Sequence, residues 1–412
     1  MPLFSIPLSG LTASSTALSA IANNLANLNT VGYKQTRATF RDLFYQSIGS
    51  SGSGNPIQIG AGAAVGSLST VFYGGNVEST GVPTDVAIMG DGFFVVEKDG
   101  ARQFTRAGNF KTGPDGWLMT DDGQLVMGYP ASNGAVSSGT AIGPLQVGKG
   151  IVSPPSATTT MKLQANLDAG AAVGEKFSTP MTVYDSLGAE HALTFQFTKT
   201  DANEWNYSVL IPAADTGATG NPVQLASGTL TFDSNGRLTT PAADVTGIAI
   251  TGLANGAGDL SLTWRIFGDN GASFLTQRAS PSNASLPEQD GCESGTLSDF
   301  SIGNDGVIQG AFSNGKGMVL GQVALASFAN MQGLTRMGRN CFSPTLASGE
   351  PSIGAPGTGG RGTLAGGALE PSNVDIAQEF AQMILAQRGF QANARAITTF
   401  DELAQETINL KR

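Results

Sequence analysis

Histidine occurs once in this chain, as His191, and cysteine twice, as Cys292 and Cys341. One histidine and no Cys-x-x-Cys leave nothing to build a zinc cluster. Two thiols are too few for a disulfide framework, and two reduced thiols are the simpler expectation. Charge is scarce as well: 13% of residues are charged, with a net charge of −10. Nucleic acid needs a basic face, so that partner is excluded. No apolar run approaches the roughly 18 residues of a membrane span, and no membrane insertion is expected. The first residues, MPLFSIPLSGLTASS, have no basic n-region, no continuous apolar stretch and no small-residue cleavage site. Export with a cleaved Sec signal is therefore not expected.

Catalytic constellations are lacking too. His191 follows Glu190 at a turn into an alternating segment, and the expectation is an exposed residue at a strand start. No nucleophile signature accompanies it, and there is no Gly-x-Ser-x-Gly elbow. Met318 stands where a P-loop needs Ser or Thr after Lys316, and the glycine run at Gly60 has the wrong spacing for a dinucleotide fingerprint. Asp121-Asp122-Gly123, Asp269-Asn270-Gly271 and Asn304-Asp305-Gly306 lack the spaced oxygens of a calcium loop and read as hairpin turns. Trp117, Trp205 and Trp264 are expected in cores. No catalytic, cofactor-binding or metal site is expected, and the chain does not read as an enzyme.

Glycine, by contrast, is abundant, with 56 residues in 412. The length allows two to four domains. The middle reads as short strands and tight turns: DVAIM, FFVVEK and WLMTDDGQLVMGY first, then HALTFQFTKT, EWNYSVLIP and LSLTWRIF, with visible alternation. The ends read as helices. Leu8, Leu11, Leu18, Ile21 and Leu25 form an apolar stripe at three- and four-residue steps. Three heptads are marginal alone, so order is expected there only on assembly. Phe380, Ile384, Phe390 and Ile397 mark a second stripe in a long C-terminal helix. Ser372 and Asp375 have capping-box spacing at its start. An amphipathic helix must bury its stripe, and these nine residues are the candidate assembly interface.

The expected architecture is mainly β with terminal α-helices. Residues 1–32 with 373–412 form a paired-helix, coiled-coil core, and 33–70 with 343–372 a linker region in which the Gly/Ser-rich stretch from Ser47 is loop by composition. Residues 71–149 with 285–342 form a discontinuous β domain, and 150–284 an inserted outer β domain.

Three segments carry a resemblance. Residues 9–40 contain ANNLAN followed by NTVGYK, which supplies Asn23, Asn24, Asn27, Asn29, Gly32 and Tyr33. Residues 84–96 read TDVAIMGDGFFVV, and 369–403 read LEPSNVDIAQEFAQMILAQRGFQANARAITTFDEL. These are similar to the signatures of the flagellar rod and hook axial family, and the insertion resembles that of its hook branch. The resemblance implies that both termini line the channel of a helical homopolymer, with inner helices packed in parallel resisting twist. It implies a curved hollow tube acting as a universal joint between rod and filament. The implied partners are other copies of the chain, a hook cap protein, a distal rod protein, a hook-filament junction protein and the flagellar type III export apparatus, with no cofactor. An extracellular position in the flagellum follows. Two alternatives stand beside it: a distal rod or other axial subunit, and a secreted β-rich hydrolase or glycan-binding protein.

Overall fold

The structure is a computed structural model, and it describes residues 5–409 apart from 133, 138 and 140. The chain divides into two compact units. The first comprises the described residues of 1–151, 299–310 and 317–412; the second comprises 152–298 and 311–316.

Two helices bound the first unit: α1 (Ser5–Ala26) and α2 (Ile376–Asn409). Helix α1 has no charged residue, and none precedes Lys34 in the chain. Pro7 is tolerated because the first turn has no intrahelical acceptor for its missing N–H. Helix α2 is capped by Asp375, whose Oδ1 accepts from the Gln378 N–H at 3.0 Å. The hydroxyl of Ser372 accepts from Val374 instead, so the cap lies three residues beyond the expected Ser372. Order in α1 does not wait for a second copy, because α2 and the strands beside it already cover one face.

The expected linker is built of strands. Thr36–Asp42 pairs antiparallel with Ala63–Thr70, and Tyr45–Ser50 with Pro56–Gly60. Glycine and serine masked the β-forming Ile48, Ile57, Ile59 and Val65 in this stretch. Nor is 343–372 a free connector. Thr363–Gly366 pairs with Val86–Met89, Ala368–Leu369 with Glu78–Ser79, and Ser352–Gly354 with Leu325–Ser327. Phe93–Lys98 lies at the centre of the unit's main sheet, between Ala101–Thr105 and Leu125–Ser132. It is buried on both faces. Phe94 and Val96 pack with Val86, Leu118 and Leu325, whereas Phe93 and Val95 pack with Phe104, Met127 and Phe342. That double burial explains the unbroken apolar run FFVV.

The second unit has two five-stranded sheets. Lys176–Tyr184, Glu190–Asp201, Glu204–Ile211, Val223–Phe232 and Leu238–Thr240 form an antiparallel meander. Thr160–Asp168 is central to the other sheet. Alternate residues of Glu190–Asp201 point inward, as the strand period of two requires. They meet Trp205 and Trp264 in the shared core, where Trp264 lies 4.9 Å from Phe195 edge-on. The unit extends to Ser298 instead of stopping at 284, because Asn283–Gln289 pairs antiparallel with Thr160–Asp168.

His191 departs from its expectation. It is buried, with Nε2 3.1 Å from Asp185 and Nδ1 3.0 Å from Asp215. The ring thereby ties the turn before its strand to the 3-10 turn Ala213–Thr216. Burial pushes the Asp185 carboxyl up, but hydrogen bonds from Asn255, His191 and the N–H groups of Ala189 and Leu187 outweigh it and hold the pKa at about 2, against 3.8 ordinarily. A depressed folded-state pKa contributes stability above pH 3.8 that is lost as pH falls through about 2. The shift corresponds to about 2 kcal/mol. Denaturant titration of D185N should show a loss of that size in the second unit at pH 7, and the gap from the parent should narrow between pH 4 and pH 2.

Candidate functional site

The helix pair is joined to the β part of the first unit by two buried polar knots. The larger is centred on Glu370, six residues before α2. Its Oε1 accepts from Lys34 Nζ at 2.7 Å and from the Gly75 N–H at 2.7 Å, and its Oε2 accepts from Arg106 Nε at 3.2 Å. Its backbone carbonyl accepts from the Gly32 N–H at 2.7 Å. Lys34 also donates to the Tyr73 carbonyl, and Arg106 to those of Gly90 and Gly92. All three charged side chains are 3% exposed or less. Burial, and then the neighbouring Arg106 charge, lower the Lys34 pKa from its ordinary value. One carboxylate thus serves two cations from separate segments.

The second knot is centred on Asn24 on α1. Its Nδ2 donates to the Thr36 carbonyl at 2.9 Å and to Glu379 Oε1 at 3.2 Å, while its Oδ1 accepts from the Thr36 N–H and the Tyr33 hydroxyl. Asn23 donates to the same Tyr33 hydroxyl. The Arg336 guanidinium covers the Tyr33 ring at 5.4 Å and donates to the Lys34 carbonyl at 2.6 Å. Gly32 has φ +67, and a Cβ there would lie 2.6 Å from the Arg106–Ala107 backbone. Only glycine combines that dihedral with that approach. Asn27 bonds back to its own helix, and Asn29 is exposed. The motif therefore contains an anchor of Asn24, Gly32 and Tyr33, with Asn23 in support.

Between the helices the seam is made of small and polar residues, with the leucines to its side. Asn24 meets Glu379, Ser14 faces Gly389, and Gly10 faces Asn393. Positions rise along one helix as they fall along the other, so α1 and α2 run antiparallel within the chain, whereas parallel packing was expected among the helices of a tube. Glycine at positions 10 and 389 lets the axes approach closely. Of the nine apolar candidates, Ile21 alone is buried; Leu11, Leu18, Leu25, Phe390 and Ile397 are half-buried, and Leu8, Phe380 and Ile384 are exposed. A groove of about 510 Å³ runs along the pair, lined by Ala13, Ala17, Arg37, Phe40 and Gln382 among others. Glu379 Oε2 lies beneath it without a hydrogen-bond partner among the described residues, and burial raises the Glu379 pKa.

Comparison with known proteins gives this layout a family. Residues 6–34 match the model described as Flagella basal body rod protein, and 365–410 that of the Flagellar basal body rod FlgEFG protein C-terminal. Residues 87–166 match the Flagellar hook protein FlgE/F/G D1 domain, and 155–292 the Flagellar basal body protein FlaE D2 domain. The Flagellar hook protein FlgE of Salmonella typhimurium is 35% identical, over 99% of this chain and 100% of its own length. The chain belongs to the flagellar hook protein FlgE family. The Treponema pallidum flagellar hook protein is 33% identical over 98% of each chain. A solved structure of the Helicobacter pylori flagellar hook protein FlgE2 covers 71% of this chain at 17% identity with a TM-score of 0.46, a likeness too loose to argue from.

The flagellar hook family is a structural one. Its N-terminal signature here serves to fasten helices to strands. Lys34 lay inside the N-terminal motif, and Glu370 inside the C-terminal one, as its second residue. Arg106 and Arg336 carried no sequence signal, since they come from loop and strand positions remote from both motifs. Replacing Glu370 by Ala leaves two cations buried without their carboxylate, at a cost of about 3–5 kcal/mol. Thermal unfolding should show the first unit's transition lowered and the second unit's unchanged. Equal lowering of both would refute this account of the knot.

Proposed function

We propose that this chain polymerises through its first unit into the curved hollow tube of the flagellar hook, the flexible joint that carries torque from rod to filament. The observation that carries this reading is the concentration of uncovered apolar side chains. Tyr45, Ile48, Ile57 and Ile59 are exposed on a two-stranded hairpin, Phe44 just before it, and Leu8, Phe380, Ile384 and Leu385 on the helix pair. An isolated two-stranded hairpin is marginal in water, and an apolar helix face needs a cover. A second copy of the same chain supplies both covers, and repetition of a head-to-tail contact makes a tube.

The nine apolar candidates then divide in their work. Ile21 holds the chain's own helices. Leu8, Phe380 and Ile384 face the next copy, with Leu11, Leu18, Leu25, Phe390 and Ile397 bordering both. The residue map of 71–149 with 285–342 as one β body and 150–284 as an insertion is carried forward with the insertion's limits moved to 152 and 298. Low charge suits surfaces that slide as the tube turns, because few ionic groups must be desolvated at each step. The partners that fit are a hook cap protein, a distal rod protein, a hook-filament junction protein and the type III export apparatus, with export uncleaved and the assembled position extracellular.

Electron microscopy of the purified full-length chain above its assembly concentration should show curved tubes. Replacing Phe380 and Ile384 by Asp puts two charges into an apolar contact, at a cost of several kcal/mol per uncompensated charge. Tubes should be lost while the thermal transition of the second unit stays in place. Tubes that persist at normal protein concentration would put the interface elsewhere.

A further inference from the structure

The groove beside the helix pair and the two-stranded hairpin are both incomplete, and they match in length and chemistry. Gly10, Ala13, Ala17 and Ala20 give the α1 wall of the groove small side chains, and Phe40 and Leu385 add apolar surface. From Gly10 to Ile21 it runs about 16 Å. Its volume is roughly three times that of a cavity that holds a benzene. Glu379 lines it at 4% exposure, and Glu379 Oε2 has no hydrogen-bond partner among the described residues. A buried acceptor left unpaired costs free energy that an incoming donor recovers. Arg37 and Glu379 are the charged residues of the lining. Their signs cancel, so the groove suits a neutral, largely apolar occupant.

The hairpin has that character. Its strands, Tyr45–Ser50 and Pro56–Gly60, lie within a stretch, 43–77, that holds no charged residue. Pro56–Gly60 extends about 17 Å, the length of the groove. Ile57 and Ile59 are two apart on that strand and share a face. Both are exposed, as are Tyr45 and Ile48, so the chain's own groove does not cover them. The hairpin forms a sheet of two strands only. Its outer edges therefore carry unpaired backbone N–H groups, a source of the donor that Glu379 lacks.

We propose that the 45–60 hairpin of one copy docks in the groove between α1 and α2 of the next, with Ile57 and Ile59 seated over Ala13 and Ala17. Each copy in a row then keeps a filled groove and a docked hairpin, and the row ends in one open groove and one free hairpin. The contact is head-to-tail, so it repeats without closing into a dimer. This inference rests on the polymer reading above and names which surface meets which.

The test uses the full-length chain carrying C292S and C341S, so that only introduced thiols react. One variant adds I59C on the hairpin and another adds A17C in the groove. Mixed in equal amounts, assembled and mildly oxidised, they should give a disulfide-linked dimer of one variant with the other. Its yield should exceed by ~tenfold or more that of the same mixture held below the assembly concentration. Either variant alone should stay unlinked, and a chain with both substitutions should give a ladder of linked multimers. Separately, I57S/I59S should raise the critical concentration for pelleting ~tenfold or more, with the first unit's thermal transition unchanged. E379Q should leave it within ~threefold of the parent, because a neutral occupant asks for no charge there. Where a thiol variant does not pellet, the serine pair decides. Tubes without the mixed dimer, or tubes indifferent to I57S/I59S, would overturn the inference and leave the polymer reading standing. A ~tenfold rise with E379Q would give the groove to a cationic segment and overturn it too. A parent that stays monomeric at every concentration would overturn both.

Discussion

A single carboxylate holds the first unit together. Glu370 reaches the segment after α1, the turn at Gly75 and the arginine that grips the Gly90 and Gly92 carbonyls. Without it the attachment is left to neutral and single-cation contacts, among them those of Asn24, the Ala63 N–H donating to Ser9 Oγ, and Arg336 on the Lys34 carbonyl. A buried ion cluster of this kind gains little over an apolar one in free energy, yet it fails badly when one member is missing. Its value here is positional. Four chain segments that are remote in sequence must arrive together before any of the charges is satisfied, which specifies one arrangement of helices on strands.

Much of this architecture was readable from residue order. The alternation in HALTFQF and LSLTWRIF gave strands because period two is a local property. The apolar stripes gave two helices, with α2 found close to its full 34 residues. The Asp-Gly and Asn-Gly pairs gave turns for the same reason, and Gly271 takes its positive φ of 72 as a hairpin needs. What failed was inference from composition. Glycine and serine in 47–66 suggested a loop, whereas pairing with Thr36–Asp42 and across the hairpin made it sheet. Strand pairing between distant segments also hid the true end of the second unit.

The site was legible only in part. Asn24, Gly32 and Tyr33 belonged to a recognised motif, but their task needs partners from far along the chain: Thr36, Glu379 and Arg336. Leucines spaced by heptads drew attention to themselves, yet the seam within the chain runs through Gly10, Ser14 and Gly389, which have no hydrophobic signature at all. Small residues announce close approach only once the neighbouring helix is in view. His191 illustrates the same gap, since two carboxylates from different elements made a buried bridge of what looked like a surface residue.

Antiparallel pairing has a mechanical meaning. The chain enters and leaves the helix pair at one end, where Asn24 meets Glu379, so the pair is a fork with its crotch at the β body. A load that spreads the two arms would peel their contacts one at a time, the weakest way to load such a pair. The bond from the Gly32 N–H to the Glu370 carbonyl, with the Lys34 bridge beside it, straps the arms together just behind the crotch. Peeling must break that strap before it reaches the first helix contact. Until it breaks, the contacts between the two arms bear none of that spreading load.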